Sequence, residues 1–215
     1  MSNYYQQRFY ARKGNDSRFY IPLNYKVDVE RLLLEVNTII NPQHSDYGIT
    51  TSHHHVNDEV PDFKRYSGIS TLDSNGVRKL KSGETDEEIV FWPKVLEDSY
   101  IKKLADDFSA MIGLKNPRVR MSKSILPRIP MHTDPHTPYR IHIALETDKD
   151  CMFWGFRESS GVEHLIHQPA DGIPVLIETG ITSHSVIGMP EAKTHRTHLW
   201  YQFHDIISDD ILKNL

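Results

Sequence analysis

The stretch MHTDPHTPYRIHIAL, residues 131 to 145, sets three histidines, an aspartate and an arginine inside a pattern that otherwise reads as the start of a β-strand. Side chains two apart on an extended backbone share a face. His132 can therefore converge with Asp134, and Arg140 with His142, while Ile141, Ile143 and Leu145 turn the other way. A polar face of this composition points at something.

Two histidines and one carboxylate are the facial ligand set that holds non-haem Fe(II) and leaves three positions open. His132 and Asp134 would supply two of the three. Candidates for the third are His164, His167, His184, His195, His198 and His204. His184 is the best placed: it lies in TGITSHSVIG, just after the apolar strand IPVLIE and its turn, where a loop at a barrel mouth would swing it towards the pair. Taken alone, a His-x-Asp pair reads equally well as polar strand-end residues satisfied by turn hydrogen bonds. His136 reads as a loop residue. The run His53, His54, His55 reads as a polar loop and part of a substrate lid, because adjacent extended side chains diverge and cannot all aim at one point.

The elements that must position these residues follow from periodicity. In DVERLLLEVNTII, apolar residues at Val29, Leu32, Leu33, Val36, Ile39 and Ile40 mark one helical face, with Asp28 as the cap and Pro42 beyond the end. DSYIKKLADDFSAMIGL predicts a second helix, capped by Asp98 or Ser99 and stopped by Gly113. Between them, residues 43 to 92 are polar and turn-rich, which predicts surface loops and short strands. After residue 116 the period changes to two. RVRMSKSIL, RIHIAL, CMFWGF, EHLIHQ, IPVLIE and RTHLWYQFH are short strands separated by turn residues, a sandwich or barrel pattern that the helices brace.

The totals are those of an ordinary soluble protein: 215 residues, 38% hydrophobic and 25% charged, enough for one well-buried domain. A net charge of −4 gives no general attraction to nucleic acid or to anionic membranes. Cys151 is the only cysteine, so no intramolecular disulfide forms, and it reads as a core strand residue. The N-terminal MSNYYQQRFYARKGND has no apolar run suited to a signal peptide, and no stretch reaches the roughly 18 residues of a membrane span, so the expected location is cytoplasmic.

The ordered set H-x-D (His132, Asp134), R-x-H (Arg140, His142), H-S-V (from His184) and R-x-H-L (from Arg196) resembles the aspartyl/asparaginyl β-hydroxylase-like branch of the Fe(II)- and 2-oxoglutarate-dependent dioxygenases. It is also similar to bacterial proline hydroxylases. The resemblance covers roughly residues 117 to 205. It implies a mainly β chain with bracing helices around a double-stranded β-helix, a cupin-like jelly roll. The expected organisation is one domain over 1–215, with 1–115 bracing a core at 116–207. It further implies Fe(II) at the open end of the barrel, held by His132, Asp134 and His184, with 2-oxoglutarate as co-substrate and molecular oxygen as oxidant. Arg196 would meet the distal carboxylate, while Arg140 and His142 would contact the metal-proximal end of the co-substrate or a substrate carboxylate. A buried dicarboxylate calls for a permanent cation, and a guanidinium offers two parallel charge-assisted bonds that an ammonium cannot. The segment SKSILPRIPMH is shorter than the family's and lacks its glycine, so the family's co-substrate contacts there are not carried over and the roles of Ser122 and Ser124 stay open. The resemblance implies as substrate an amino-acid-like small molecule or a peptide side chain. Two other classes share the His/Asp cluster, a non-redox cupin-type isomerase or hydrolase and a non-catalytic binding protein, but neither needs arginines for a dicarboxylate.

Overall fold

The computed structural model describes residues 19–40, 72–73, 76–77, 96–115, 117–124, 128–134, 138–147, 151–157, 162–180, 182–188, 196–203 and 205–215. His53 to His55, His136, His195 and His204 lie outside them. In chain order the elements are β1 (Tyr20–Pro22), α1 (Val29–Glu35, continuing as a π-helical turn Val36–Ile40), β2 (Leu72–Asp73), β3 (Gly76–Val77) and α2 (Tyr100–Ile112). There follow β4 (Arg118–Ser124), β5 (Arg128–His132), β6 (Tyr139–Glu146), β7 (Cys151–Arg157), β8 (Val162–Ile166), β9 (Val175–Glu178), β10 (Ser183–Gly188), β11 (Arg196–Phe203) and α3 (Asp209–Asn214). Among the described residues no helix is long and apolar enough to cross a membrane.

Both helices expected from periodicity form. Asp28 caps α1, accepting from the Arg31 N–H at 3.0 Å, and Ser99 caps α2 by accepting from Lys102. Gly113, at φ 70°, ends α2 in the left-handed region, where a side chain would be strained. The expected face of the first helix departs at its end. From Val36 onward the helix widens to π geometry, and the Thr38 hydroxyl bonds back to the Leu34 carbonyl at 2.7 Å. Glu35 joins the two helices: its carboxylate accepts from the Tyr100 and Ile101 N–H groups at 2.7 and 3.0 Å, which satisfies donors left open at the start of α2.

The strands form two antiparallel sheets, ordered β1-β9-β6-β11-β4 and β5-β10-β7-β8. From β4 to β11 the chain passes back and forth between the sheets, save for the β7–β8 hairpin that stays within the second, which is the winding of a jelly roll. Three strands go beyond the sequence expectation. β1 pairs with β9, β5 closes the second sheet, and HSV belongs to strand β10 where a mouth loop was expected. The H-x-D segment also divides: His132 ends β5, Asp134 lies just past it, and Arg140 and His142 sit on β6. Between 43 and 92 the described pair β2–β3 is a two-residue hairpin ladder, in line with short strands there.

Period-two alternation sorts β6 and β11 into two buried faces. Ile141, Ile143, Leu145, Leu199, Tyr201 and Phe203 pack outward onto Leu32, Ile101, Leu104, Phe108 and Ile112 of the helices. The opposite residues face the interior between the sheets. There Phe19, Val175 and Ile177 meet Val186 of the second sheet in a small apolar cluster. Among the described residues, the inward positions of β6 and β11 are Arg140, His142, Ala144, Arg196, His198, Trp200 and Gln202, most of them polar.

Candidate metal centre

β10 sets His184 directly opposite His132 of β5, their ring centroids 4.4 Å apart. Beside this pair the ladder is irregular: three residue steps on β5, His132 to Ile129, oppose two on β10, His184 to Val186. Pro130 lies in the bulged stretch and has no N–H to give to a ladder. Bulges re-aim side chains, and this one adjoins the two imidazoles. Asp134 is fixed by its own N–H, which donates to the Thr179 carbonyl at 2.9 Å, while the Thr179 N–H donates to the Pro138 carbonyl at 3.0 Å.

The consequence is a cluster of His132, Asp134 and His184 whose ligand atoms all lie within 4.8 Å of one another. His184 Nε2 stands 3.0 Å from Asp134 Oδ2, and His132 Nε2 stands 3.9 Å from Oδ1. His184 Nδ1 lies 3.0 Å from the Thr182 carbonyl, which can only accept, so Nδ1 carries a proton and Nε2 is the nitrogen turned towards Asp134. Oδ2 of Asp134 is buried and receives no hydrogen bond from the described residues. With the imidazole neutral, as a metal ligand must be, Nε2 and Oδ2 would set two lone pairs 3.0 Å apart, an arrangement that a cation relieves. Adjacent ligands about 2.1 Å from an octahedral ion stand about 3 Å apart, so this donor set fits a first-row divalent metal.

The surrounding charges hold the carboxylate ionised. Burial would raise the Asp134 carboxyl, but the Arg140 guanidinium, with Nη2 2.8 Å from Oδ1, and the two histidines outweigh it. They hold the group well below the usual carboxylate range. With the Gln202 amide oxygen turned towards Arg140, it accepts from Nη2 at 2.9 Å and Nε at 3.0 Å.

Deeper along β6 and β11 the inward wall continues through His142, Trp200, His198 and Arg196. The His142 ring stacks on Trp200 at 5.7 Å and meets His198 edge-on at 6.2 Å. Arg196 Nη2 approaches His198 Nδ1 at 3.3 Å, and both residues are buried, at 5% and 1% exposure. Burial, then the charges of Arg140, Arg196 and His184, push His142 well below the ordinary histidine value, against the opposing pull of Asp134. Burial, then Arg196, His142 and His167, do the same to His198. His142 therefore lies electrostatically between the metal cluster and Arg196. Arg196 and Gln202 are six residues apart on β11, about 20 Å between Cα atoms, so the wall between them can line a bound molecule.

Of the downstream histidines, His184 joins the pair. His198 lies against Arg196, and His164 falls on β8. Sequence reasoning missed Gln202 and the inward position of Tyr20 on β1, whose hydroxyl is raised by burial and by Asp171 and lowered by Arg196. Gln202 was findable: it is the fourth residue on the Arg196, His198, Trp200 face.

No protein-family model matches this chain, and no curated protein matches it. Its structure is similar to that of a prolyl-4-hydroxylase from Pseudomonas putida, with a TM-score of 0.51 and 12% identity over 88% of this chain and 94% of that one. AviO1 from Streptomyces viridochromogenes Tue57 gives a TM-score of 0.49 at 11% identity, over 88% and 92% of the two chains. An oxidoreductase of the 2OG-Fe(II) oxygenase family from Burkholderia pseudomallei gives 0.45 at 14%, over 86% and 93%. At such identities the first of these likenesses speaks to the fold, the jelly roll described above.

Proposed function

We propose that this chain is an Fe(II)- and 2-oxoglutarate-dependent dioxygenase, a single domain over 1–215. In this reading it hydroxylates an unactivated C–H bond of an amino-acid-like small molecule or a peptide side chain and releases succinate and CO2. The observation that carries the reading is the convergence of His132, Asp134 and His184 in a jelly roll whose interior also holds a buried arginine, Arg196. The three ligands would hold Fe(II), which when bound supplies oxygen activation coupled to decarboxylation of the co-substrate. The protein's own part is to bind, orient and keep water out. Arg196 meets the distal carboxylate with its fork, and His142, stacked on Trp200, lines the path from the metal to that anchor. Both His142 and His198 are held neutral, so they offer hydrogen bonds there without added charge. No protein general base is required.

The test is an anaerobic titration of the Fe(II)-loaded protein with 2-oxoglutarate, following metal-to-ligand charge-transfer absorption, with Arg196→Ala beside wild type. Wild type should give a saturable band. Loss of the cation strands a buried charge, a defect of roughly 2 to 5 kcal/mol, so Arg196→Ala should bind about 30-fold to several thousand-fold more weakly. Arg196→Lys should recover only part, since an ammonium has no fork. Wild type that binds iron without giving the band overturns the dioxygenase reading in favour of a non-redox cupin-type enzyme. Equal affinities in wild type and Arg196→Ala move the anchor elsewhere.

A further inference from the structure

A cation beside a metal site opposes the metal, so the place of Arg140 needs a reason. Its charge sits 2.8 Å from a carboxylate that faces two imidazoles, and it is itself buried. Asp134 has left β5, and nothing in a terminal carboxylate torsion, which is broad and two-fold, selects one oxygen over the other. Arg140 makes that selection. Nη2 engages Oδ1, while Oδ2 receives no hydrogen bond and faces His184 Nε2 at 3.0 Å. The guanidinium is held in turn. Gln202 is its direct partner across the β6–β11 ladder, is 1% exposed, and accepts from both Nη2 and Nε.

We propose that Arg140 and Gln202 are a positioning pair: Gln202 fixes the guanidinium, which grips Asp134 by Oδ1 so that Oδ2 alone is presented to a divalent cation with His132 and His184. The inference rests on the metal site of the reading above and not on its co-substrate. Nε and Nη2 of Arg140 thereby engage Gln202 and Asp134, and in this proposal Arg140 holds a metal ligand where the sequence suggested a co-substrate contact. The choice of arginine follows, since lysine would bring the same opposing charge without a fork able to reach Gln202 and Asp134 together.

The experiment titrates the metal-free full chain with Mn(II) by calorimetry, without 2-oxoglutarate. Partners that orient a metal ligand are typically worth 10- to 100-fold in affinity. Arg140→Lys, which keeps the charge, and Gln202→Leu should each weaken Mn(II) binding by about that factor. Gln202→Glu, whose carboxylate can accept both bonds, should bind like wild type or more tightly. Wild-type Mn(II) affinity in folded Arg140→Lys and Gln202→Leu would overturn the proposal. A second measurement needs no variant: the Arg140 side-chain N–H resonances of the wild type should stay in slow exchange when Zn(II) is added, and their release would overturn it too. With metal saturating, Arg140→Lys should keep wild-type affinity for 2-oxoglutarate. A fall there with unchanged Mn(II) affinity would make Arg140 a co-substrate contact and overturn the pair. Should wild type bind Mn(II) but show no 2-oxoglutarate-dependent band, the dioxygenase reading fails, while loss of Mn(II) affinity in the two variants still upholds the pair.

Discussion

β6 and β11 are each buried on both faces, yet the two faces do opposite things. Outward, Ile141, Ile143, Leu145, Leu199, Tyr201 and Phe203 close on α1 and α2, with the Phe108 and Tyr201 rings edge to face at 5.0 Å. Inward, one residue along from each, stand Arg140, His142, Arg196, His198, Trp200 and Gln202. Apolar burial on the first face stabilises the fold at about 25 cal/mol per Å². Burial of polar and charged groups on the second disfavours the fold unless every group is paired, and His198 Nε2 and Asp134 Oδ2 have no hydrogen-bond partner among the described residues. Stability and the proposed function are thus separated by a single residue step along the same strands, and substitutions on the two faces should fail in different assays.

The largest effect should come from breaking each face at its centre. Phe108→Ala removes a fully buried ring from the helix side and should destabilise the protein by about 3 to 5 kcal/mol, read by denaturant unfolding, with metal affinity unchanged in the folded fraction. His184→Ala should do the reverse: fold largely intact, iron-dependent 2-oxoglutarate turnover abolished, since a facial site loses a ligand. Full turnover in His184→Ala would remove this residue from the centre.

The outward face was the legible one. Period-two runs and helical periodicity marked six strands, two helices and their caps, because apolar burial leaves a repeating signature. The candidate ligand pair is legible as residue types, and so is His184 as its partner, but the strand of His184 is not. SHSVIG is short, and what defines it is pairing with β5 and β7, a long-range fact with no local pattern. β1 and β5 were missed for the same reason, and Pro22 and Pro130 within them argue against strands locally. The proposed division of Arg140 from Arg196 into ligand holder and carboxylate anchor rests on distances that spacing cannot supply. α3, capped by Ser208, escaped because six residues carry little periodicity.

A middle-sized effect should appear with pH, in chelator-treated protein. His142 and His198 have folded pKa values well below the ordinary 6.5. Below about pH 6.5 the unfolded chain takes up protons at these positions that the folded chain refuses, so their contribution to stability is full above that pH and is lost as pH falls. The slope is about 1.4 kcal/mol per pH unit for each histidine. Each histidine should therefore lower stability as pH falls from about 6.5 towards 5, with that slope as the upper bound. The depressed carboxyl of Asp134 acts in a lower window, with stability lost only as pH drops below the unfolded carboxylate range. His198→Gln cannot titrate, so its unfolding free energy should fall with a visibly shallower slope between pH 6.5 and 5. An unchanged slope would mean that His198 takes up its proton in the folded state, and the inward wall would then be less dry than its burial implies.

The smallest effect tests whether the outward face is as purely apolar as its packing suggests. Tyr201 places its hydroxyl 3.1 Å from the Ile101 carbonyl, to which it donates, and burial followed by Glu35, Tyr100 and Tyr25 raises its pKa so that it stays a donor. Tyr201→Phe keeps the ring, its edge contact with Phe108 and nearly all the buried apolar area. It removes one neutral hydrogen bond to a carbonyl within the first turns of α2, where the helix ladder supplies an alternative donor. The cost should be about 1 kcal/mol, seen as a small shift in the unfolding midpoint with no change in its denaturant dependence. Metal affinity should be untouched, although Tyr201 adjoins both Trp200 and Gln202 in sequence. A loss of 3 kcal/mol or more would show that the hydroxyl, and not the ring, seats α2 on the sheet. Weakened Mn(II) binding would show that the two faces of β11 are mechanically coupled, so that the fold's apolar side helps to set the geometry of Gln202 and, through Arg140, of Asp134.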